Sequence, residues 1–301
     1  MRLTSVCGAT STTNLARLAI IGGSGLAALS QLGEAVPFQA EVTPWGKPSA
    51  SFTMAGEGDD AVLFVARHGP GHSVPPHQVN YRANIAAIKA AGVEEIVSIS
   101  AVGGLVEEAE PGTIVFVDQF IDRTVSRAAT FFEDGVVAHV SMAEPACSSL
   151  RKRLIASAND AGIEHLTQGT YLAMEGPQFS TRAESMMYKS WGATVIGMTN
   201  MPEARLAREA EICYQTVALV TDYDAWRPHE EAVSVEAVLE ILKSNAGKAR
   251  MLLEAFLSSR NTHDCDVGCR HALEHAVITA REHISEDTKS RLANIAPRIF
   301  T

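Results

Sequence analysis

Two short clusters hold the side chains best suited to chemistry. At Thr221-Asp222-Tyr223-Asp224-Ala225-Trp226 an apolar run (Tyr214, Val217, Leu219, Val220) stops at two carboxylates two residues apart. In open α/β sheets ligands sit outside the carboxyl ends of strands. Asp222 and Asp224 therefore stand where general acid–base work is done, with Tyr223 and Trp226 able to limit water. Solvated loop acids that cap a following helix would give the same pattern. The second cluster is Arg67-His68-Gly69-Pro70-Gly71-His72, after the apolar segment Ala61–Ala66. Arg67 offers a planar fork for an oxyanion, and His68 can donate beside it. A surface ion pair is the plainer use of such an arginine.

Two glycine-containing stretches add donors. Gly22-Gly23-Ser24-Gly25 follows Leu18–Ile21, so successive backbone N–H groups and the Ser24 hydroxyl can face one concavity. From Gly23 it also partly fits a dinucleotide fingerprint, with Ala28 at the third small position, and a tight turn fits equally well. Ser98-Ile99-Ser100-Ala101-Val102-Gly103-Gly104 ends a strand with hydroxyls and paired glycines, which also suit a helix cap or turn. Brought together, Ser24, Arg67, His68 and Ser100 make an anion pocket. No Gly-x-x-x-x-Gly-Lys-Ser/Thr occurs, which removes the support for nucleoside triphosphate hydrolysis. An anion pocket at one end and paired acids at the other suit cleavage of a bond between an attacking anion and a leaving group that needs a proton.

These residues need a sheet to hold them. Apolar, β-rich segments at Leu18–Ile21, Ala61–Ala66, Glu95–Ser100, Thr113–Val117, Thr194–Met198 and Tyr214–Val220 alternate with helical patterns. Val79–Ala91 has Tyr81, Ile85 and Ile88 at helical spacing and stops at Gly92. Thr181 and Glu184 form a capping box for a helix closed by Gly192. Pro202 suits the first turn of a helix over Glu203–Ala210, and Ser234 opens a long helix to about Leu257. The expected fold class is α/β, a single domain with a mixed central β-sheet flanked by helices. Residues 1–17 read as a disordered tail, 18–257 as the domain, and 258–301 as a helical extension packed on it.

Composition narrows the class. The 301 residues are 46% hydrophobic, enough for a substantial core. A net charge of −10 argues against a nucleic-acid partner, because phosphate backbones demand a basic surface. No apolar run approaches the roughly 18 residues of a membrane span, and the first residues lack a signal-peptide core, so a cytoplasmic protein is expected. Five scattered cysteines suit reduced thiols.

Seven segments, met in order over residues 18–257, carry a family resemblance. They are Ile20-Ile21-Gly22-Gly23-Ser24-Gly25-Leu26, Arg67-His68-Gly69, Asp118-Gln119-Phe120-Ile121-Asp122-Arg123-Thr124, Met142-Ala143-Glu144-Pro145, Glu175-Gly176-Pro177-Gln178-Phe179-Ser180-Thr181-Arg182-Ala183-Glu184, Gly197-Met198-Thr199, and Thr221-Asp222-Tyr223-Asp224. In them the chain resembles the trimeric purine nucleoside phosphorylase family, in its methylthioadenosine phosphorylase branch. The resemblance implies a homotrimer, inorganic phosphate as co-substrate, and neither metal nor organic cofactor. It implies phosphate contacts for Ser24, Arg67, His68, Ser100 and Thr199. Met198 would lie along the ribose, Phe179 against the purine, and Ala101 would add backbone to the base site. Val235 and Val238 would form an apolar 5′ pocket, with His139 reaching it from a neighbouring subunit. Glu175 matches a purine-pocket glutamate, for which a structural hydrogen-bonding role is the alternative, and Gly197 departs from the asparagine of some relatives.

The implied reaction is reversible phosphorolysis of 5′-deoxy-5′-methylthioadenosine to adenine and 5-methylthio-α-D-ribose 1-phosphate. A protonated Asp222 would donate towards purine N7, and Asp224, or the pair, would accept from the 6-amino group. An asparagine at the first position would suit 6-oxopurines instead. Pocket discrimination of one small apolar group is worth only about 1–3 kcal/mol, so some adenosine turnover is expected. The rivals are a 6-oxopurine nucleoside phosphorylase, a nucleoside-binding protein without turnover, and a nicotinamide-dependent oxidoreductase. The last would need an acid on the ribose, and Glu41 stands near that spacing without a strand to present it.

One cluster lies outside this scheme. His263-x-Cys265-x-x-x-Cys269-x-His271 groups four soft ligands, but the spacing is not a zinc-finger pattern and nothing elsewhere in the sequence pairs with it. Relatives often carry closely spaced C-terminal cysteines, so paired thiols or a packed structural segment, without metal, are expected.

Overall fold

The structure, a computed structural model, describes residues 16–22, 33–227, 235–259 and 265–300. In chain order the strands are β1 (Leu18–Gly22), β2 (Val36–Pro37), β3 (Ser51–Ala55), β4 (Val62–Ala66), β5 (Glu95–Gly104), β6 (Ile114–Phe116), β7 (Gln119–Arg123), β8 (His165–Leu166), β9 (Thr170–Met174), β10 (Val195–Gly197) and β11 (Cys213–Asp222). The helices are α1 (Tyr81–Ala90), α2 (Ser148–Asp160), α3 (Arg182–Ser190), α4 (Asn200–Glu209), α5 (Val235–Ser258), α6 (Glu286–Leu292) and α7 (Pro297–Phe300).

One mixed sheet runs β2-β3-β4-β1-β5-β10-β9-β7, and β11 joins it by pairing with β5 and β6. β5 is the hub. It lies parallel to β1 and β11 and antiparallel to β10. The alternation of its residues decides what each face receives. Val97 and Ile99 join Leu18, Ile20, Val217 and Leu219 under α2 and α5. Ile96 and Val102 face the other way, with Ala19, Ile21, Tyr214 and Val220 against α1 and α4. Ser98 and Ser100 therefore point to the α1–α4 side, buried in a hydrophobic core where only function or hydrogen bonding explains a hydroxyl. A one-residue slip in β5 would turn both away.

The capping box of α3 is present, with the Thr181 hydroxyl accepting from Glu184 N–H at 3.2 Å and Glu184 accepting from Thr181 N–H at 2.7 Å. α1 ends before Gly92 and α3 before Gly192, both with positive φ. Two strands outrun their expected ends by two residues or more. β5 continues through Ala101–Gly104, so the stretch Ser98–Gly104 is strand rather than loop. β11 reaches Asp222 because pairing with β5 continues past a register shift between Val220 and Asp222. Tertiary pairing, not local propensity, lengthens both. α2, β2, β3, β7, β8 and β9 have no counterpart in the patterns read from the sequence.

Ala16 and Arg17 are already docked: Ala16 is buried, and the Arg17 carbonyl accepts from Glu94 and Glu95. Leu273, Ile284, Leu292 and Ile295 of the C-terminal segment belong to the same core cluster as β1 and α1. Among the described residues no helix is long and apolar enough to cross a membrane.

Candidate active site

Arg67 follows the last residue of β4 and is 3% exposed. A buried guanidinium needs an acid, and Glu203 of α4 supplies it: Nε donates to Oε2 at 2.6 Å and Nη2 to Oε1 at 2.8 Å. Nη2 also donates to Ser98 Oγ at 2.7 Å. Burial alone would push the guanidinium pKa down, but Glu203 overrides that and holds Arg67 firmly charged. Glu203 Oε1 takes further hydrogen bonds from Ser98 (2.7 Å) and Tyr214 (2.8 Å), and Asn200 donates to Ser98 and Tyr214. These contacts occupy one edge of the guanidinium and, among the described residues, leave Nη1 for an incoming anion. The plainer expectation for Arg67, a surface ion pair, is replaced by a buried and fixed one.

Two residues along the same face of β5, Ser100 Oγ lies 3.2 Å from Tyr171 Oη and 3.5 Å from Thr199 Oγ1. Thr199 N–H donates to the same phenol at 3.4 Å. The departure at Gly197 has its cause here: a Cβ on that residue would sit 2.0 Å from Tyr171 Oη. A side chain at 197 and a tyrosine at 171 exclude each other.

His68 is set differently from the expectation of a donating ring. Its Nδ1 lies 2.8 Å from the Val74 carbonyl, which can only accept, so Nδ1 carries the proton. The ring stacks on His72 at 4.1 Å, and burial, with Arg67 and His72 adding, pushes its pKa down to about 4. A neutral ring protonated on Nδ1 has only an acceptor at Nε2, which leaves the main-chain N–H as the donor His68 offers an anion.

The acids stand at the far end of β5. Asp222 Oδ2 accepts from the Thr221 hydroxyl at 2.7 Å, and Oδ1 from Asp224 N–H at 2.8 Å. Asp224 is 9% exposed and has φ +48°, a left-handed conformation that aspartate tolerates at modest cost. Burial pushes its pKa up, and the Ser185 hydroxyl, Ala225 N–H and Ser180 hydroxyl draw it back only in part. Among the described residues, Oδ2 of Asp224 has no donor in hydrogen-bonding position. Gly103 makes room for the pair, because a Cβ there would lie 3.0 Å from Asp222 Oδ1 and 3.1 Å from Asp224 Cβ. Behind them Trp226 Nε1 donates to the Gly104 carbonyl at 2.8 Å and Tyr223 to the Glu107 carbonyl at 3.2 Å, making a buried aromatic wall.

Between the hydroxyls and the acids lies Ala101, the one exposed position in the otherwise buried strand β5. Met198 is half-buried against the core cluster that contains Tyr223 and Trp226. Phe179, 51% exposed, stands in the segment between β9 and α3. Glu175 is fully engaged elsewhere. It accepts from Val125 N–H (2.6 Å), Ser126 Oγ (2.7 Å) and Arg127 Nε (3.4 Å). Arg127 in turn donates to the Met198, Met201 and Glu175 carbonyls. The structural alternative for Glu175 is the one observed.

His139 is exposed and lines a separate cavity of about 390 Å³ with Thr130, Phe132, Arg205 and Glu209. Among the described residues no hydrogen bond or ion pair joins it to Arg67, Ser100 or the acids of its own chain. Ser24 lies outside the described residues, as do the side chains of Val235 and Val238 at the start of α5. Glu203, Tyr171 and Asn200 escaped sequence reasoning, Ser98 shows there only as part of a hydroxyl-bearing stretch and Tyr214 only as part of an apolar run. Glu203 has no distinguishing mark in sequence, because α4 also carries Arg205, Arg208 and Glu209.

The C-terminal ligands fall otherwise than the sequence suggested. Cys265 and Cys269 do have partners, Cys147 and Cys213, brought from distant positions by the sheet and α2. His271 is 62% exposed and lies 3.9 Å from Glu274, and His263 is outside the described residues.

The profile of the phosphorylase superfamily matches residues 17–258. An S-methyl-5′-thioadenosine phosphorylase of Bradyrhizobium diazoefficiens is 48% identical over 285 residues, covering 94% of this chain and 98% of that one. A methylthioadenosine phosphorylase from an antarctic soil metagenomic library superposes with a TM-score of 0.86 at 45% identity, covering 94% and 99% of the two chains. A mutant adenosine/methylthioadenosine phosphorylase from Schistosoma mansoni, in complex with methylthioadenosine, superposes with a TM-score of 0.74 at 34% identity, covering 82% and 92%.

Proposed function

We propose that this chain, which belongs to the phosphorylase superfamily, catalyses reversible phosphorolysis of 5′-deoxy-5′-methylthioadenosine to adenine and 5-methylthio-α-D-ribose 1-phosphate. The observation that carries the proposal is the division of β5. Ser98 and Ser100 gather Arg67, Thr199 and Tyr171 at one end, Gly103 admits Asp222 and Asp224 at the other, and Ala101 opens between.

Phosphate binds Arg67 Nη1, the hydroxyls of Ser100 and Thr199 and the His68 main-chain N–H, with Ser24 as the further donor proposed from sequence. The ribose lies beside Met198 and the purine between Phe179 and the backbone at Ala101. As the bond to C1′ lengthens, the sugar gains cationic character and the purine negative charge. Phosphate, held by fixed donors, stabilises the cation and attacks C1′. The purine leaves as neutral adenine once N7 has received a proton. Burial favours the acid form of Asp224, while both oxygens of Asp222 are held by donors. The proton therefore comes from Asp224, and Asp222 accepts from the 6-amino group, the reverse of the division first expected from sequence. Two acids at these positions, with no amide, support an adenine base over a 6-oxopurine.

Val235 and Val238 form the 5′ pocket, completed by His139 of a neighbouring subunit in a homotrimer. The exposure of His139, away from the acids of its own chain, supports that placement. Solution mass at the trimer value, with loss of methylthioadenosine affinity in His139→Ala, tests it; a fully active monomer rejects it. A cytoplasmic, reducing setting suits Cys147, Cys213, Cys265 and Cys269, none of which is in a disulfide among the described residues. Phosphate-dependent release of adenine from methylthioadenosine tests the activity itself, and nucleoside binding without turnover would reject it.

A further inference from the structure

Four of the five cysteines meet at one point. Cys147 is the N-cap of α2, Cys213 opens β11, and Cys265 and Cys269 belong to the C-terminal segment. Their sulfurs all lie within 4.8 Å of one another; three are buried and Cys265 is half-buried.

We infer that Cys147, Cys213, Cys265 and Cys269 form a structural site for a soft, tetrahedral divalent metal ion, zinc above all, which ties the C-terminal segment to the starts of α2 and β11. Four sulfurs about 2.3 Å from a zinc ion stand about 3.8 Å apart along the edges of a tetrahedron. Cys147 Sγ and Cys265 Sγ are 3.8 Å apart. A disulfide would draw each pair to about 2.05 Å, and four mutually close sulfurs suit one shared ion better than two separate bonds. All four donors are sulfur, which selects a soft ion over magnesium or calcium. The supporting shell is in place: Leu150 N–H donates to Cys147 Sγ at 3.5 Å, and the positive end of α2 faces the same sulfur. Apolar residues of the α2–α5 core, Leu150 and Phe256 among them, share the cluster with the cysteines.

A closed four-thiolate site has no open position for a substrate, which fits its place on the α2–α5 face of the sheet, opposite Arg67 and Ser100. Its role is to hold residues 265–300, whose Leu273 and Leu292 complete the core over β1 and α1. Coordination exchanges thiol protons for the ion, with no change of oxidation state.

The test uses the untagged full chain, purified without chelators from zinc-supplied cells. It should carry about one equivalent of zinc per chain. Cobalt(II) in its place should give the intense sulfur-to-metal charge-transfer and visible bands of a tetrahedral thiolate site. Cys265→Ser, at the least buried ligand, should lower metal content roughly tenfold or more and depress the melting temperature. Cys7→Ser should change neither. Metal-free protein with all five thiols by intact mass, protein lighter by the hydrogens of disulfides, or bound cobalt without the thiolate bands would each overturn the inference.

Discussion

Glu203 spans the guanidinium of Arg67 with hydrogen bonds of 2.6 and 2.8 Å, and both side chains are buried. The acid holds the base in one orientation and, among the described residues, leaves a single corner free, so the anion site is aimed before an anion arrives. Glu203→Gln keeps the shape and removes the charge. Its expected effect is a rise in the KM for phosphate of roughly tenfold, with a much smaller change for the nucleoside. Glu203→Ala leaves a buried, unpaired guanidinium and should cost about 3–5 kcal/mol of stability by denaturant titration. An unchanged phosphate KM in Glu203→Gln would separate Arg67 from phosphate.

The two acids should fail differently. Asp224→Asn removes the proton donor and should lower kcat for methylthioadenosine by about 100-fold or more. Asp222→Asn should instead shift preference towards 6-oxopurine nucleosides such as methylthioinosine. Because Asp224 acts as an acid, activity should be lost as pH rises and the carboxyl gives up its proton, and its raised pKa carries that limb upward. Steady-state rates across pH for the two variants decide the assignment. Equal losses from both with no change in base preference would undo it.

Ala101 is exposed within a buried strand, so a larger side chain there meets the cleft rather than the core. Ala101→Leu should leave the melting temperature nearly unchanged, within about 0.5 kcal/mol of stability, and abolish turnover. Thermal unfolding beside an activity assay checks both halves. Loss of fold with activity would place Ala101 in the core instead.

Glu209 lines the cavity with His139 and accepts from Phe131 N–H at 2.7 Å and the Thr130 hydroxyl at 2.8 Å. Burial outweighs those bonds and pushes its pKa up from 4.5 to about 7. The folded state therefore holds this proton more tightly than the unfolded chain does. Its contribution to stability is complete below pH 4.5 and is lost as pH rises through about 7. The total is on the order of 3 kcal/mol at most. Melting temperatures measured over that range should fall less steeply in Glu209→Gln than in the unaltered chain. Parallel curves would show that Glu209 titrates normally.

Much of this was legible in the sequence because it rests on local signals. Thr181 with Glu184, and the stops at Gly92 and Gly192, are short-range chemistry and recur in the structure as expected. Arg67 stands just past a strand, where punctuation shows it; Ser100 shows as a hydroxyl in an apolar run, although its strand runs on to Gly104, and Thr199 shows only through the family resemblance. What stayed hidden needs the sheet. Glu203 meets Arg67, 136 residues away in sequence, only after α4 docks across β5. Cys147 and Cys213 join Cys265 and Cys269 by the same long-range route, so spacing within the C-terminal motif could not disclose them. The full lengths of β5 and β11 are hidden for a related reason: Ala101–Gly104 is rich in small residues, and pairing with β11 and β10 keeps it extended. The proton on Nδ1 of His68 follows from one carbonyl, Val74, that no pattern connects to it.

The central claim is that an adenine nucleoside is cleaved by phosphate between the hydroxyl end and the acid end of β5. Its most direct test is to incubate the purified chain with methylthioadenosine, adenosine or inosine, with and without inorganic phosphate, and follow the released base by chromatography. Adenine should appear from methylthioadenosine only when phosphate is present, with an equal amount of 5-methylthioribose 1-phosphate, more slowly from adenosine, and inosine should be the poorest substrate. Base release without phosphate, or inosine cleaved as fast as methylthioadenosine, would contradict it.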